Sequence, residues 1–395
     1  MSSEQDGESS MTKTPKKVTR TAPAAPVAEV IGGVDTHRDF HVAAAKDSLG
    51  PTLGTRSFPA TSAGYAALVA WLAGFGPISA VGVEGTGCYG AGLSTYLIEH
   101  GITVVEVNRP NRQKRRRAGK SDPRDAINAA AAVQSGDATA APKTRTGPIE
   151  SVRVLRQTRD LLVTARTRAI NTLKALLVTA PAPLRESLHG LSTTALLTHC
   201  AAFDTPTADV KGLRGKAKTQ ATTDLAEALL DPGMGVRTVL GELARIIAHH
   251  NTHIAELDIA LDALVHRIAP RTTALFGLGP DTTGQLLTTV SDNPDRIHSE
   301  PALATLTGVA PQDCSSGRTQ DHHRLSRAGD RQANAALYRT VLTRLAWHEP
   351  TRTYMTTRLT PNASNKKHLI RCLKRYLIRE IYPHLTTDLA TLHTA

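Results

Sequence analysis

The sequence predicts a mixed α/β domain over residues 29–145, followed by segments that are mainly helical. A short apolar run at residues 30–34 has the length of a strand, a second strand can follow at 41–45 after a turn, and residues 55–58 can make a third. Further strands then alternate with helical patterns. From Val236 onward the apolar positions recur in steps of four and three, which is the period of a long helix. The chain of 395 residues is long enough for two or three domains.

The predicted element order of the first domain is βββαβαβ with one further helix. After the three opening strands we expect a helix over 65–72, a strand over 80–83, a helix over 90–100, a strand over 103–107 and a helix over 122–133. This order describes a mixed sheet with helices packed on it. Residues 1–28 precede it and are polar, aperiodic and rich in Pro and Ala, which is typical of a disordered leader.

The next region, residues 146–268, is predicted as a coiled coil with a linker. Apolar residues between Val236 and Ile268 keep the heptad period for more than four heptads, with His250 as the exception. Residues 151–178 repeat the pattern more weakly, because Arg159 and Arg166 interrupt it. An antiparallel hairpin or a dimer contact would use both segments.

The last region, residues 269–390, is predicted to be mainly helical. It opens with Leu-Phe-Gly-Leu-Gly-Pro from Leu275, followed by an apolar helix to Val290. The pattern resembles a helix-hairpin-helix, whose glycine turn lets backbone N–H groups approach a phosphate. A simple helix-capping turn is the alternative.

The charge is strongly basic and unevenly distributed. There are 47 Lys and Arg against 35 Asp and Glu, and the formal net charge is +12. Seven basic residues and no acid lie between Arg109 and Lys120, and fourteen basic against three acidic residues lie between Arg318 and Arg379. Such one-sided runs favour a phosphate-binding surface over plain solubility. Aromatic residues make up only 4%, which argues against a base-stacking platform.

The cysteine and hydropathy patterns exclude several classes of protein. Four scattered cysteines without a CxxC pair argue against a structural zinc site and a secreted disulfide framework, so we expect a reducing cytoplasm. No apolar run approaches the roughly 18 to 20 residues that span a bilayer, so we expect no membrane partner.

Four acids stand where a sheet edge predicts a ligand site. Asp35 and Glu84 end apolar strands, and Asp122 and Asp125 are spaced three apart at a predicted helix start. Four converging carboxylates repel one another unless a divalent ion lies between them, and hard oxygen ligands favour Mg²⁺ or Mn²⁺. Taken singly, each acid also has a structural interpretation: Asp122 as a helix N-cap, Asp35 as a turn residue and Glu84 as a surface charge.

Four motifs in this order resemble the DEDD transposases of insertion-sequence family 110, the recombinases that use a bridge RNA as guide. They are Gly-Val-Asp-Thr-His-Arg-Asp around Asp35, Glu-Gly-Thr-Gly-Cys-Tyr-Gly from Glu84, Lys-Ser-Asp-Pro-Arg-Asp ending at Asp125, and a downstream set. The downstream set consists of Leu-Thr-Gly-Val-Ala-Pro, then Ser316-Gly317, then Arg-Leu-Ser-Arg-Ala-Gly. The resemblance covers residues 30 to about 385. One departure is Asp330, where the family commonly carries Asn.

The resemblance implies an α/β RNase H-like N-terminal domain of the Holliday-junction-resolvase type, a central antiparallel coiled coil and a mainly α C-terminal transposase domain. It implies that Asp35, Glu84, Asp122 and Asp125 bind Mg²⁺ (or Mn²⁺) and that Ser316 is the nucleophile. Ser315 directly precedes Ser316, so that assignment stays open. The implied partners are donor and target DNA, a guide (bridge) RNA and further copies of the chain, as a dimer of dimers.

The expected function is RNA-guided DNA strand exchange for a bacterial insertion sequence, through a covalent 5′-phosphoserine. We expect the nucleic-acid-binding residues to be basic side chains of the two charged regions, in a cytoplasmic, nucleoid-associated protein. They are Arg112, Lys114, Arg115, Arg116, Arg117, Lys120, Arg318, Arg324, Arg327 and Arg331. The alternatives are a metal-dependent endonuclease that resembles a Holliday-junction resolvase, and a non-catalytic nucleic-acid-binding protein.

Overall fold

A computed structural model describes residues 29–107, 121–206, 211–317, 320, 323–325, 329–359 and 365–394. The predicted leader, residues 1–28, lies outside the described residues. Contacts divide the chain into two units. The first comprises Met1–Gly85 and Tyr96–Thr139, and the second comprises Thr86–Thr95 and Ala140–Ala395.

The first unit is built on a five-stranded mixed sheet. Its strands are β1 (Val30–Thr36), β2 (Phe40–Asp47), β3 (Thr52–Pro59), β4 (Ile78–Glu84) and β5 (Val104–Val107), in the spatial order β3-β2-β1-β4-β5. Strand β1 pairs antiparallel with β2 and parallel with β4, and β4 pairs parallel with β5. The mixed α/β sheet expected from the sequence is therefore confirmed.

Three helices complete this part of the chain: α1 (Ser62–Ala73), α2 (Ala91–Glu99) and α3 (Asp122–Gln134). Helix α3 packs directly on the backbone of the sheet. A Cβ added to Gly33 of β1 would stand 2.2 Å from the Ala126 carbonyl oxygen, and one added to Gly82 of β4 would stand 2.8 Å from that of Ala129. Glycines in the strands and alanines on the helix thus bring α3 closer than larger side chains would allow.

The second unit contains two long helices, α4 (Pro148–Thr179) and α8 (Pro232–Ile268). Three shorter helices lie between them in sequence: α5 (Ala182–Ser187), α6 (Thr193–Ala201) and α7 (Gly215–Ala228). Arg159 pairs with Asp258, and Arg166 donates a hydrogen bond to Asn251, 3.0 Å away. The contacted residue numbers on α8 fall as the residue numbers on α4 rise, so the two helices run antiparallel.

The apolar seam predicted from Val236 to Ile268 is largely buried inside this single chain. Leu240, Ile247, Ile254 and Leu261 are at most 5% exposed. Of the two uses that the sequence left open, the intramolecular antiparallel hairpin is the one observed. Supercoiling of the pair as a coiled coil stays a prediction.

The remaining helices surround one apolar core. They are α9 (Pro270–Thr273), α10 (Pro280–Val290), α11 (Glu300–Leu306), α12 (Arg331–Trp347), α13 (Glu349–Arg358) and α14 (Lys366–Thr394), with a 3₁₀ turn at Pro294–Ile297. Strands β6 (Pro311–Asp313) and β7 (His323–Leu325) form a small antiparallel hairpin. The core draws on α4, α8, α10, α12 and α14. The mainly helical character expected of this region is confirmed.

The glycine turn before α10 is held by arginines. Gly277 has φ +80°, and Nε of Arg344 donates to the neighbouring Phe276 carbonyl at 2.8 Å. The buried Arg156 donates to the backbone carbonyl and the carboxylate of Asp281 in the first turn of α10. These contacts account for the turn as a structural element, and phosphate binding by a helix-hairpin-helix stays a prediction. Across the described part of the chain, no helix has the length and apolarity needed to cross a bilayer.

Candidate functional site

The carboxyl ends of β1 and β4 lie side by side. Val34 is paired with Val83 in the parallel register, so the next residues, Asp35 and Glu84, are neighbours at the same sheet edge. The Thr36 hydroxyl donates to the Glu84 carbonyl at 2.8 Å and ties the two strand ends together. Asp35 is 9% exposed, and Glu84 is half-buried.

Helix α3 brings the other two predicted acids to this part of the first unit. Asp122 is the first residue of α3, and Asp125 lies in the same turn and is only 3% exposed. Carboxylates in a first helical turn are stabilised by the unpaired N–H groups and the helix dipole. The N-cap residue is Ser121, so the interpretation of Asp122 as a mere N-cap is wrong. The chain turns into the helix one residue earlier, with Pro123 inside its first turn.

A histidine joins two of the acids. Nε2 of His37 lies 3.3 Å from Oδ2 of Asp35 and 3.4 Å from Oδ2 of Asp122. The same nitrogen is buried and has no well-aligned hydrogen bond among the described residues. His37 lies within the first sequence motif, but its role was not predicted from the sequence. The available signal was its position two residues after Asp35, which places both side chains on the same side of an extended chain.

These three side chains have the donor atoms and the spacing of a metal centre. One ligand atom from each of Asp35, His37 and Asp122 lies within 4.8 Å of the others. Carboxylate oxygens suit Mg²⁺ and Mn²⁺, and an imidazole nitrogen between them suits a transition metal such as Mn²⁺ better than Mg²⁺. Glu84 and Asp125 are outside this three-residue cluster. The structure therefore brings Asp35 and Asp122 together. Glu84 lies beside Asp35 in the sheet, and Asp125 lies in the same first turn of α3 as Asp122.

The surroundings of the cluster keep a second histidine neutral. His41 is completely buried and stacks on Tyr65, with ring centroids 5.6 Å apart. Burial lowers the pKa of His41, a backbone hydrogen bond at Phe40 opposes the shift, and the nearby His37 lowers the pKa further. The His41 side chain therefore adds no positive charge beside the cluster at neutral pH.

The predicted nucleophile lies in the second unit, in the loop of the β6–β7 hairpin. Ser315 donates hydrogen bonds to the Asp313 carboxylate from its hydroxyl and from its backbone N–H, the latter at 2.8 Å. The bond from the Ser315 hydroxyl lowers the pKa of Asp313. Ser316 follows as an exposed residue, and Gly317 adopts the left-handed conformation with φ +49°. The hydroxyls of the two adjacent serines thus stand in different local settings.

Two of the predicted nucleic-acid-binding residues can be located. Arg324 lies in β7 and Arg331 begins α12, and both are exposed. Asp330, the departure from the family pattern, is the N-cap of α12 and accepts from the backbone N–H groups of Gln332 and Ala333. The others lie outside the described residues: Arg112, Lys114, Arg115, Arg116, Arg117, Lys120, Arg318 and Arg327.

Comparison with known protein families decides the assignment. A family model for DEDD transposases of the IS110 type matches residues 32–180, and a model described as "Transposase IS116/IS110/IS902 family" matches residues 270–356. Both models describe one family, and together they cover more than half of the chain. The chain belongs to the IS110 family of DEDD transposases. No curated protein matches the sequence.

Membership of this transposase family makes the chain a DNA-recombining enzyme that acts in transposition. The family implies DNA binding and a divalent metal, for which the Asp35–His37–Asp122 cluster is the candidate site. The four predicted acids fall within the first match, and Ser316, Arg324 and Arg331 fall within the second. The mixed sheet of the first match is consistent with an RNase H-like domain.

Proposed function

We propose that this IS110-family transposase performs RNA-guided DNA strand exchange through a covalent 5′-phosphoserine. The observation that carries the proposal is the convergence of Asp35 and Asp122 on the Nε2 atom of His37. Two carboxylates drawn together at the end of a strand form a site for a cation. A divalent ion at this point would assist phosphodiester chemistry as a Lewis acid.

The proposed metal ligands are the acidic tetrad, with His37 added. Asp35, His37 and Asp122 fit a divalent ion by their donor atoms and mutual distances. Glu84 is supported by its position beside Asp35, and Asp125 by its burial in the first turn of α3. Mg²⁺ or Mn²⁺ held here would polarise the scissile phosphate and stabilise charge on the departing oxygen.

The serine step conserves the phosphodiester bond energy. Oγ of Ser316 attacks the scissile phosphorus, an Oγ–P bond forms and the bond from phosphorus to the 3′ oxygen breaks. The serine loses its proton, and the leaving oxygen gains one and becomes a 3′-hydroxyl. A 3′-hydroxyl of the partner strand then attacks the phosphoserine, which releases Ser316 and joins the exchanged strands. No nucleotide cofactor is consumed.

The local contacts favour Ser316 over Ser315 as the nucleophile. The Ser315 hydroxyl donates a hydrogen bond to the Asp313 carboxylate. The pKa of Asp313 is lowered, so this carboxylate stays ionised and accepts the bond. Removing the Ser315 proton would place a second negative charge beside this carboxylate. Ser316 is exposed and precedes a glycine whose positive φ turns the chain sharply.

We further propose that the guide RNA and the DNA are held by the basic regions and that catalysis uses several copies of the chain. The resemblance implies that the tetrad and the serine of one site come from different protomers. The seam of α8 is mostly buried within its own chain, so we propose that the dimer contact uses other surfaces. We propose that the first unit has an RNase H-like fold of the type found in Holliday-junction resolvases.

The test is the formation of a denaturant-resistant protein–DNA adduct. Purified protein is combined with its flanking transcript, Mg²⁺, and donor and target DNA, and wild type is compared with Asp35→Ala, Ser316→Ala and Ser315→Ala. We expect an adduct in wild type and in Ser315→Ala, and none in the other two variants. DNA cleavage that survives Ser316→Ala without an adduct would instead establish a metal-dependent endonuclease.

A further inference from the structure

A cavity of about 240 Å³ lies in the second unit between strand β7 and helix α14. Its lining is dominated by cationic and imidazole side chains from the two elements. These are His323, Arg324, His368, Arg371, Arg375 and Arg379. So many nitrogen donors around one small cavity indicate an anionic ligand.

The arginines of α14 form a regular row. Arg371, Arg375 and Arg379 are spaced four residues apart and therefore lie on one face of the helix. At 1.5 Å per residue, neighbours in the row stand about 6 Å apart and the row spans about 12 Å. That length lets the row contact more than one phosphate of a strand, since successive phosphates of one strand advance by only about 3.4 Å along the duplex axis.

The row is only partly neutralised. Arg375 is held in a two-point ion pair with Glu300. Within the ranges that the structure describes, neither Arg371 nor Arg379 forms an ion pair, and Arg379 lies over the ring of Tyr376 at 5.5 Å. One of the three positive charges is therefore balanced by a carboxylate, and two remain for a ligand.

The cations also crowd one another. Burial, followed by the charge of Arg379, lowers the pKa of Arg375. Burial and the charge of Arg371 lower the pKa of the neighbouring Lys374, whose ammonium group donates to Asn334 at 2.7 Å. An anion in the cavity would relieve this repulsion. Among the described residues of the hairpin, Asp313 brings a negative charge opposite His323 in the β6–β7 register, and it accepts the bonds from Ser315.

The cavity lies at the base of the hairpin that carries the proposed nucleophile. His323, one of its lining residues, is paired with Asp313, and the loop from Asp313 leads directly to Ser315 and Ser316. A strand attacked by Ser316 must therefore pass close to β7. We propose that this cavity binds backbone phosphates of the DNA strand that flanks the phosphodiester attacked by Ser316, through Arg371 and Arg379. This inference rests on the proposed function, which makes that strand DNA.

The experiment measures equilibrium binding of a labelled donor-site DNA duplex by full-length protein with Ser316→Ala, over a series of salt concentrations. In this background, the double substitution Arg371→Gln/Arg379→Gln removes two charges from the cavity. A matched control, Lys216→Gln/Lys218→Gln, removes two exposed charges from α7. The slope of log affinity against log salt is expected to fall by about 1.8 for the cavity variant, at roughly 0.9 per phosphate contact, and to stay unchanged for the control.

A second variant separates the contact from folding. Arg371→Lys/Arg379→Lys retains the charge and is expected to keep the wild-type slope. An unchanged slope in the glutamine variant or an equal drop in the α7 control would overturn the inference. The adduct assay reports separately on the serine step. If wild type forms the adduct but the glutamine variant keeps the wild-type salt slope, the cavity proposal fails and the serine step stands. If the slope falls but wild type forms no adduct, the serine step fails and phosphate binding by the cavity stands.

Discussion

Gly33 of β1 and Ala130 of α3 approach so closely that a Cβ on Gly33 would stand 2.2 Å from the Ala130 amide nitrogen. The strand that carries Asp35 and the helix that carries Asp122 are therefore in backbone contact. On the strand the contact is two residues before Asp35, and on the helix it is about two turns after Asp122. This contact sets the height of α3 above the sheet. The distance between the two carboxylates depends on it.

Gly33→Ala is expected to push α3 away from β1 and to weaken metal binding together with stability. Overpacking of this kind costs about 1–3 kcal/mol, and here the clashing atoms are backbone and cannot turn aside. Urea unfolding would give the stability, and calorimetric titration with Mn²⁺ would give the affinity. Gly54→Ala in β3 is the matched control, because its Cβ would meet nothing closer than 3.5 Å. Equal behaviour of the two variants would refute the role of the contact.

His37→Ala is expected to weaken Mn²⁺ binding by at least about tenfold, since loss of even an outer-shell partner of a metal typically costs 10- to 100-fold. The variant also removes a ring that lies 4.9 Å from Phe40, so stability should be measured beside affinity. His100→Ala is the control, because His100 is an exposed histidine directly after the end of α2. An unchanged Mn²⁺ affinity in His37→Ala would show that this histidine is not a ligand.

Arg156→Ala is expected to destabilise the protein by about 2 kcal/mol. The arginine is 6% exposed and donates to the Asp281 carboxylate, the Asp281 carbonyl and the side-chain oxygen of Gln285. Its removal leaves the buried Gln285 without this donor, whereas the Asp281 side chain is 45% exposed and keeps a bond from Arg339. Arg153→Ala, one turn earlier on α4, removes a half-buried i,i+3 pair with Glu150, which still has Arg145 3.9 Å away, and should cost less than about 1 kcal/mol. Thermal and urea unfolding of both variants would measure the contrast, and similar losses would contradict it.

The pair of Arg344 and Glu380 predicts a pH dependence of stability. The bond from Arg344 lowers the pKa of Glu380 below its ordinary value of 4.5. The contribution is therefore fully present above about pH 4.5 and is lost as the pH falls through the lowered folded-state pKa. Because the Glu380 side chain is 42% exposed, water screens the pair and we expect roughly 1 kcal/mol.

Urea unfolding of wild type and Glu380→Gln between pH 3 and pH 7 would test this. The difference between the two proteins should be largest near neutral pH and shrink toward acid. Glu349→Gln, which breaks an exposed pair with Arg352, serves as the control and should show little difference at any pH. A constant difference for Glu380→Gln across the range would contradict the linkage.

Much of the fold could be predicted because its signals are local. Strands β1, β2, β4 and β5 each contain a short apolar run, and the β-branched and alanine-rich segments from Val30 to Val107 fall into the observed strands and helices. The polar, mostly exposed β3 is the exception. The acids at the strand ends were also visible, since a carboxylate directly after a buried strand stands out in the sequence. The placement of Glu84 beside Asp35 follows once β1 and β4 are parallel neighbours.

The role of His37 was not predictable in the same way. In the sequence His37 is one residue of a polar turn. Its ring becomes part of a site only because α3, which follows much later in the chain, packs so that Asp122 lies next to it. The same holds for the cavity between β7 and α14. In the sequence its arginines are part of a long basic segment. They line a cavity only because α14 packs against the β6–β7 hairpin.

By itself the sequence determined the strands, the long helices, the basic excess and the family motifs, because these depend on residue type and on period along the chain. Tertiary structure alone decided which partner covers the seam of α8. An apolar stripe can be buried equally well by another copy or by the same chain, and here α4 folds back on it. Tertiary structure also decided which side chains meet at the end of β1, since that depends on how closely a glycine strand admits a helix.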